Sequence, residues 1–253
     1  MPRAIPRSSG YSWVVRMADG ALLQATGIEA GYNRVQVLWG AGLSVALQSS
    51  VVLLGANGAG KTTLLKVLTG LLPAWKGQVQ LDGHDITTLR TDRRVRRGMA
   101  YMSELGVFPG LSIEENLQIG GQFSERAALR RRIEELFGVF PDLAGRRRAL
   151  AGSLSGGQRK MLGIAKALAS KPRLLVMDEP SAGLSPLFVQ QVIAILGQFR
   201  SEGLAMLIAE QNVAFLDLAD RVFTLEGGRI RFEGTVEQLH ADDALHRAYF
   251  GLA

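Results

Sequence analysis

The chain contains no cysteine. That excludes disulfides and thiolate-held metals and is compatible with a reducing compartment. No uninterrupted apolar run reaches the roughly 18–20 residues that a membrane-spanning helix needs, so the chain is not expected to cross a bilayer by itself. A secretory leader is not expected either. Residues 1–16 mix prolines, arginines and serines around one short apolar patch, Trp13-Val14-Val15, shorter than the roughly 7–15-residue apolar stretch of a leader. Internal repeats and low-complexity stretches are absent from the sequence.

What is present suits one large domain, or a domain with an added lobe. Of 253 residues, 47% are hydrophobic and 21% charged, ordinary values for a globular chain. The net charge of +6 comes mostly from arginine. Such a balance fits nucleic acid, an acidic lipid surface, or simply an arginine-rich surface. Arg90, Arg93, Arg94, Arg96 and Arg97, and again Arg126, Arg130, Arg131 and Arg132, fall in helical stretches with few interleaved aromatics. Solvated helix faces are therefore expected, and no nucleic-acid partner. Periodic patterning begins only after Met17. Residues 1–20 are expected to form a disordered tail, or the natural chain starts at Met17; an intact mass that includes residues 1–16 would rule out the second option.

Branched residues predict three short strands at 22–29, 35–39 and 43–47, then a buried strand at 51–54. Leucines at helical spacing follow over 62–71, and 78–81 reads as a strand turning at Asp82-Gly83. The middle third, about 104–152, is helical and basic. Ser112 with Glu115 makes a capping box there, and a second helix covers 125–137. Beyond it come a helix at 156–169 capped by Ser155, a buried strand at 174–177, a helix with Ser185 at its N-cap and Pro186 at its first position, a strand at 205–209, a hairpin across Gly227-Gly228, and two short helices. This alternation predicts an α/β core with a mostly parallel sheet, an N-terminal antiparallel β-subdomain, and a helical lobe inserted at about 104–152; residues 21–253 form one domain.

Gly55-Ala56-Asn57-Gly58-Ala59-Gly60-Lys61-Thr62-Thr63 fits G-x-x-x-x-G-K-T, set between a strand and a helix as that motif requires. The glycines let successive backbone N–H groups face a phosphate at a helix N-terminus. Lys61 can reach the β- and γ-phosphates of a nucleotide, and the Thr62 hydroxyl can ligate Mg²⁺. Leu174-Leu175-Val176-Met177 runs into Asp178-Glu179 at the carboxyl edge of the sheet, beside that loop. Asp178 is placed to hold Mg²⁺ and Glu179 to polarise an attacking water.

Between these two stands Leu154-Ser155-Gly156-Gly157-Gln158. With it, the chain from about Leu22 to its end resembles the ATP-binding cassette (ABC) ATPases. The resemblance implies ATP and Mg²⁺ as ligands and a head-to-tail dimer of cassettes. Ser155, Gly156, Gly157 and Gln158 of one subunit would then face the ATP held by residues 55–63 of the other. It implies that Tyr32 stacks on adenine, although a core aromatic is an equal reading of that residue. It also implies that residues 181–186 cross the dimer seam.

Two positions depart from the general cassette pattern. Glu104 stands where most cassettes have a glutamine, and Gln211, in Ala209-Glu210-Gln211-Asn212, where most have the histidine that contacts the γ-phosphate. Glu104 is still a hard oxygen donor for Mg²⁺; Gln211 can donate to phosphate but cannot become cationic. Both features, with residues 31–39, 108–117, 183–186 and 247–251, resemble the smaller ATPase of branched-chain amino acid importers. That implies two membrane-spanning permease subunits, an indirect solute-binding protein, and a peripheral place on the cytoplasmic face of the inner membrane. The segment 103–108 is shorter than that subfamily's loop and lacks its basic pair, and Gln48-Ser49-Ser50 replaces a Pro/Gly turn. Rival readings are a soluble non-transport ABC protein and a weakly hydrolysing cassette that supports a partner. Another kind of phosphate-loop enzyme, such as a kinase, leaves the Leu154–Gln158 run without an explanation.

Overall fold

The computed structural model describes residues 20–103 and 106–251, the side chain of residue 248 excepted. The expected tail, save Gly20, and the expected Mg²⁺ ligand Glu104 lie outside the described residues.

Alternating residues at the start form two long antiparallel strands, β1 (Ala21–Tyr32) and β2 (Val35–Ala46), rather than the three short ones expected. The cause is bulging. Gly40 breaks the period between the expected strands at 35–39 and 43–47, yet it adopts φ +74° and the pairing resumes beyond it; Gly27, inside the expected 22–29 strand, marks a second bulge at φ +62°. A bulge re-aims a strand without ending it.

Next come β3 (Ser50–Leu54), α1 (Lys61–Thr69), β4 (Lys76–Leu81), β5 (His84–Asp85), α2 (Thr91–Arg96) and β6 (Met99–Met102), followed by α3 (Ile113–Gly120), α4 (Arg126–Val139) and α5 (Pro141–Ala144). The chain ends with α6 (Gly156–Leu168), β7 (Leu174–Asp178), α7 (Pro186–Ser201), β8 (Ala205–Glu210), β9 (Arg221–Glu226), β10 (Arg229–Gly234), α8 (Val236–Ala241) and α9 (Asp243–Phe250).

One sheet has the order β2-β1-β4-β5 and is antiparallel; the other runs β10-β9-β3-β8-β7-β6 and is parallel except at β10. Every residue of β3, β7 and β8 is buried, as expected for strands covered on both faces. Their alternation splits the core. Val51, Leu53, Leu207 and Ala209 join α1 and the antiparallel sheet on one side. Val52, Leu54, Ile208 and Met177 join the helices on the other.

The helices after β6 pack into that second cluster through Ile113, Leu117, Ile133, Leu136 and Leu143. The Ser112–Glu115 capping box opens α3. A bridge between Ser112 and Leu150 pins the two ends of the segment together, with Ile113 N donating to Ala149 O at 3.0 Å. Ser185 does precede α7, but its side chain makes no capping bond; Pro186 lacks an N–H, so the helix starts with one fewer unpartnered donor.

Two arginines overturn the solvated-face reading. Arg90, Arg93, Arg96 and Arg97 are exposed, but Arg94 is 2% exposed. It donates to Val67 O (2.8 Å) and Leu68 O (2.7 Å) at the end of α1, and to Leu89 O and Thr87 O (both 2.9 Å). The last carbonyls of a helix lack intrahelical partners and carry the negative end of its dipole. A guanidinium with donors in a fixed fork serves four carbonyls at once. Burial pulls the Arg94 pKa down to about 10. Arg126, Arg130 and Arg131 are exposed, whereas Arg132 is tucked in: its Nε donates to Leu168 O at the end of α6 and its guanidinium lies over Phe199.

Candidate functional site

Parallel pairing sets the site. Leu54 lies opposite Glu210, and Asp178 opposite Ala209, so β3, β7 and β8 end at one edge. From that edge the 55–60 loop turns with Gly58 at φ +79° and Gly60 at φ +108°. A Cβ on Gly55 would stand 2.6 Å from Leu225 O. The turn between β9 and β10 buttresses the loop, because Gly228 N donates to Ala59 O at 2.9 Å and Gly228 O accepts from Trp39 N at 2.9 Å.

Lys61, the first residue of α1, is buried. Its Nζ donates to Gly55 O (2.7 Å) and Ala56 O (3.2 Å) and pairs with Glu179 Oε1 at 3.1 Å. Thr62 Oγ1 donates to Asp178 Oδ1 at 3.1 Å, and the Tyr101 hydroxyl to Asp178 Oδ2 at 3.3 Å. Burial raises the Asp178 pKa, against the lowering effect of those two hydroxyls, and the neighbouring Glu179 charge adds to the rise. Burial and the Asp178 charge together push the Tyr101 phenol far up.

Glu179 adopts φ +47°, a conformation in which non-glycine residues are uncommon. Its N–H donates to Ala209 O (2.9 Å), and its carbonyl accepts from Lys160 Nζ in α6 (2.9 Å). The Gln211 amide donates to Glu179 Oε1 at 3.3 Å and, through a shorter bond, to Asn57 Oδ1. The structure thus brings Asn57, Lys61, Thr62, Asp178, Glu179 and Gln211 together at one sheet edge.

Tyr32 is 42% exposed, which overturns the core-aromatic reading. Its hydroxyl accepts from Thr63 Oγ1 at 3.4 Å, and Lys66 Nζ lies 5.6 Å from its ring centre, so the ring stands beside α1. Ser155 and Gln158 cap α6 reciprocally, at 3.2 and 3.1 Å. Gly156 has open space where a Cβ would go, while Gly157 lies against the Phe188 ring. Among the described residues, no hydrogen bond joins residues 155–158 to residues 55–63.

Sequence reasoning missed Tyr101, Lys160 and Glu210. Glu210 is 2% exposed and accepts four hydrogen bonds at the edge beside Glu179. A carboxylate ending an apolar strand is the available signal, the same one that marks Asp178. Nothing in local spacing announced Tyr101 or Lys160, which reach the site from β6 and α6.

A buried parallel sheet carrying this loop, with a lysine and two carboxylates converging on it, defines a phosphate-loop nucleoside triphosphatase. Comparison with known proteins narrows that class. Residues 38–182 match the ABC transporter family. The chain is 39% identical to the high-affinity branched-chain amino acid transport ATP-binding protein BraG of Pseudomonas aeruginosa, over 87% of this chain and 95% of that protein. It is 34% identical to the lipopolysaccharide export system ATP-binding protein LptB of Haemophilus influenzae, over 91% and 98%. A solved ATP-binding cassette of an ABC transporter in its ADP conformation superposes with a TM-score of 0.79 at 25% identity, covering 92% of this chain and 99% of that one. The chain belongs to the ABC transporter family, as its ATPase.

Proposed function

We propose that this chain is the ATP-hydrolysing subunit of an importer for branched-chain amino acids or related small solutes. The observation that carries the hydrolytic part is the meeting of Lys61, Asp178 and Glu179 at the mouth of the 55–63 loop. The cargo is suggested by likeness to BraG along nearly its whole length. A second reading, the ATPase of an exporter, is favoured by the likeness to LptB.

In this reading the N–H groups of residues 56–63 and the Lys61 ammonium hold the phosphates of ATP, and Tyr32 offers its exposed ring to adenine. Thr62 and Asp178 fit Mg²⁺. Both present hard oxygens, and they are already held 3.1 Å apart. Among the described residues no cluster of three or more His, Cys, Asp or Glu could hold a metal ion, so beyond Glu104 its remaining ligands would be water and phosphate. Glu104 is the further protein ligand proposed. Bound Mg²⁺ would offset charge on the phosphates.

Glu179 accepts a proton from the water whose oxygen attacks the γ-phosphorus; the bond to the departing ADP oxygen breaks, giving ADP and phosphate. Gln211 holds the Glu179 carboxylate before the nucleotide enters and then donates to the phosphate. Ser155, Gly156, Gly157 and Gln158 serve the ATP of a second cassette, with the N-terminus of α6 facing that phosphate. Residues 181–186 lie on the seam between the two, and the helices after β6 pass the motion to two membrane-spanning subunits. No helix among the described residues is long and apolar enough to cross a membrane. The proposed place is peripheral, on the cytoplasmic face of the inner membrane, with a solute-binding protein acting indirectly.

Uptake of radiolabelled leucine in a strain lacking this gene, complemented with the wild-type chain or Glu179→Gln, tests the proposal. Loss of uptake on deletion, restored only by the wild type, supports it. Unchanged leucine uptake with a defective outer surface would favour the exporter reading.

A further inference from the structure

Glu210 ends β8 next to the reacting groups, yet its side chain points at none of them. Its Oε1 accepts from Ser181 N (2.7 Å), and its Oε2 from Ser181 Oγ (2.9 Å), Gln211 N (3.1 Å) and Asn212 N (3.3 Å). One carboxylate oxygen therefore joins two separate loops. The first begins two residues after Glu179; the second carries the amide that donates to the Glu179 carboxylate and to Asn57. Only a carboxylate satisfies this set, because all four partners donate and an ionised carboxylate is acceptor-only. A glutamine in its place must turn an NH₂ toward at least one backbone N–H in a buried site, where an unmatched donor is costly.

The backbone around Glu179 needs such a hold. At φ +47° it sits in a sparsely populated region, and such conformations persist where the surroundings over-determine them. Glu179 N is anchored to Ala209, the residue before Glu210. Glu210 thus fixes the loop leaving β7 and the loop leaving β8 relative to each other, with the Glu179 carboxylate between them.

We infer that Glu210 is a positioning residue for ATP hydrolysis: by clamping Ser181 to the Gln211 backbone, it aims the Gln211 amide and the Glu179 carboxylate at the attacking water, and it carries the setting of the 181–186 loop to them. The inference rests on the proposed role of Glu179. Ser181 lies at the head of a segment proposed to cross the dimer seam, so the clamp is where contact with a second cassette reaches the hydrolytic carboxylate.

The test is steady-state ATP turnover by the full-length chain, with nucleotide binding and thermal melting measured alongside, for Glu210→Gln, Ser181→Ala and the double variant. Misaiming a reacting group by about 1 Å costs on the order of 100-fold in rate. Glu210→Gln should therefore lower kcat by roughly 10- to 100-fold, with KM for ATP close to wild type and the melting temperature lowered only modestly by the unmatched donor. Ser181→Ala, at a half-exposed position, should lower kcat less, and it keeps the test open if the glutamine variant does not fold. The double variant should be no slower than Glu210→Gln alone, since both changes break one clamp. Unchanged kcat in Glu210→Gln, a parallel fall of kcat, ATP affinity and melting temperature, or single effects that multiply would each overturn the inference. Glu179→Gln run alongside separates the two readings: if it leaves turnover intact, the proposed hydrolytic site fails whatever Glu210→Gln does.

Discussion

Glu179→Gln should slow hydrolysis and tighten ATP binding at the same time. The first effect follows from removing the base, a loss of about 10²–10⁴ in kcat. The second comes from the Lys61–Glu179 pair, 3.1 Å apart with the two side chains 4% and 24% exposed. Nucleotide phosphates must take Lys61 from that carboxylate. A hydrogen bond to a charged group contributes about 1.5–3 kcal/mol. Part of it is recovered when Glu179 meets water, so a net release of about 1–2 kcal/mol, or roughly 5- to 30-fold in ATP affinity, is expected. Glutamine retains the acceptor for the Gln211 amide, so the rest of the site stays in place. Equilibrium titration with ATP and phosphate-release kinetics give the two numbers. ADP supplies a control: without the γ-phosphate it has less call on Lys61 near Glu179, and its affinity should rise less than that of ATP. Equal or weaker ATP binding in the variant would refute competition for Lys61, and turnover within about twofold of wild type would refute the role of Glu179 as base.

Arg94→Met should destabilise the fold by about 3–5 kcal/mol, because four carbonyls, two of them in buried bonds, lose this donor at once; chemical denaturation measures it, and a loss below about 1 kcal/mol would show that those carbonyls find other partners. Gly228→Ala places a Cβ 1.8 Å from Val37 O at φ +73°, so the turn must leave Ala59 and ATP binding should weaken, whereas Gly227→Ala, with open space around it, should leave binding unchanged; titrations of both check this. Asp85 accepts from Gln78 first, then from the hydroxyl and N–H of Thr87, which together hold its pKa down at about 2. A depressed folded-state pKa gives stability that is present above the unfolded value of 3.8 and lost as pH falls through about 2. The melting temperature of Asp85→Asn should therefore trail wild type at neutral pH, with the gap narrowing below pH 3.8; a gap as wide at pH 2 as at neutral pH would refute it.

Local signals carried the parts of the site that are contiguous in the chain. The strand, glycine loop and helix over 51–69 lie next to one another in sequence, and so do the apolar run and two carboxylates of 174–179. Gln211 was legible only through the resemblance. What stayed hidden was made by distant partners. Arg94 lies in a run of exposed arginines and differs from them only in facing the end of α1, more than twenty residues earlier. Tyr101 and Asp178 meet across neighbouring strands 77 residues apart, and Lys160 reaches Glu179 from α6. No spacing rule encodes such meetings, because sheet order rather than sequence separation sets them. The expected split within β2 failed for another reason: a glycine such as Gly40 marks both a strand end and a bulge, and only the partner strand tells them apart.

The groups that would meet a triphosphate are already satisfied within the chain. Lys61 has Gly55, Ala56 and Glu179; Thr62 has Asp178; Gln211 has Asn57 and Glu179. A nucleotide therefore exchanges bonds on entering, and only the difference contributes to affinity. At the proposed adenine contact no such exchange is needed, because the Tyr32 ring is 42% exposed. The base should thus anchor ATP while the phosphates take over Lys61 and Gln211. Both side chains released in that exchange have been holding Glu179. The energy of phosphate binding is coupled in this way to freeing the carboxylate that acts next, and the conformation it then keeps depends on the backbone hold from Ala209, Lys160 and Glu210 rather than on the side chains that leave it.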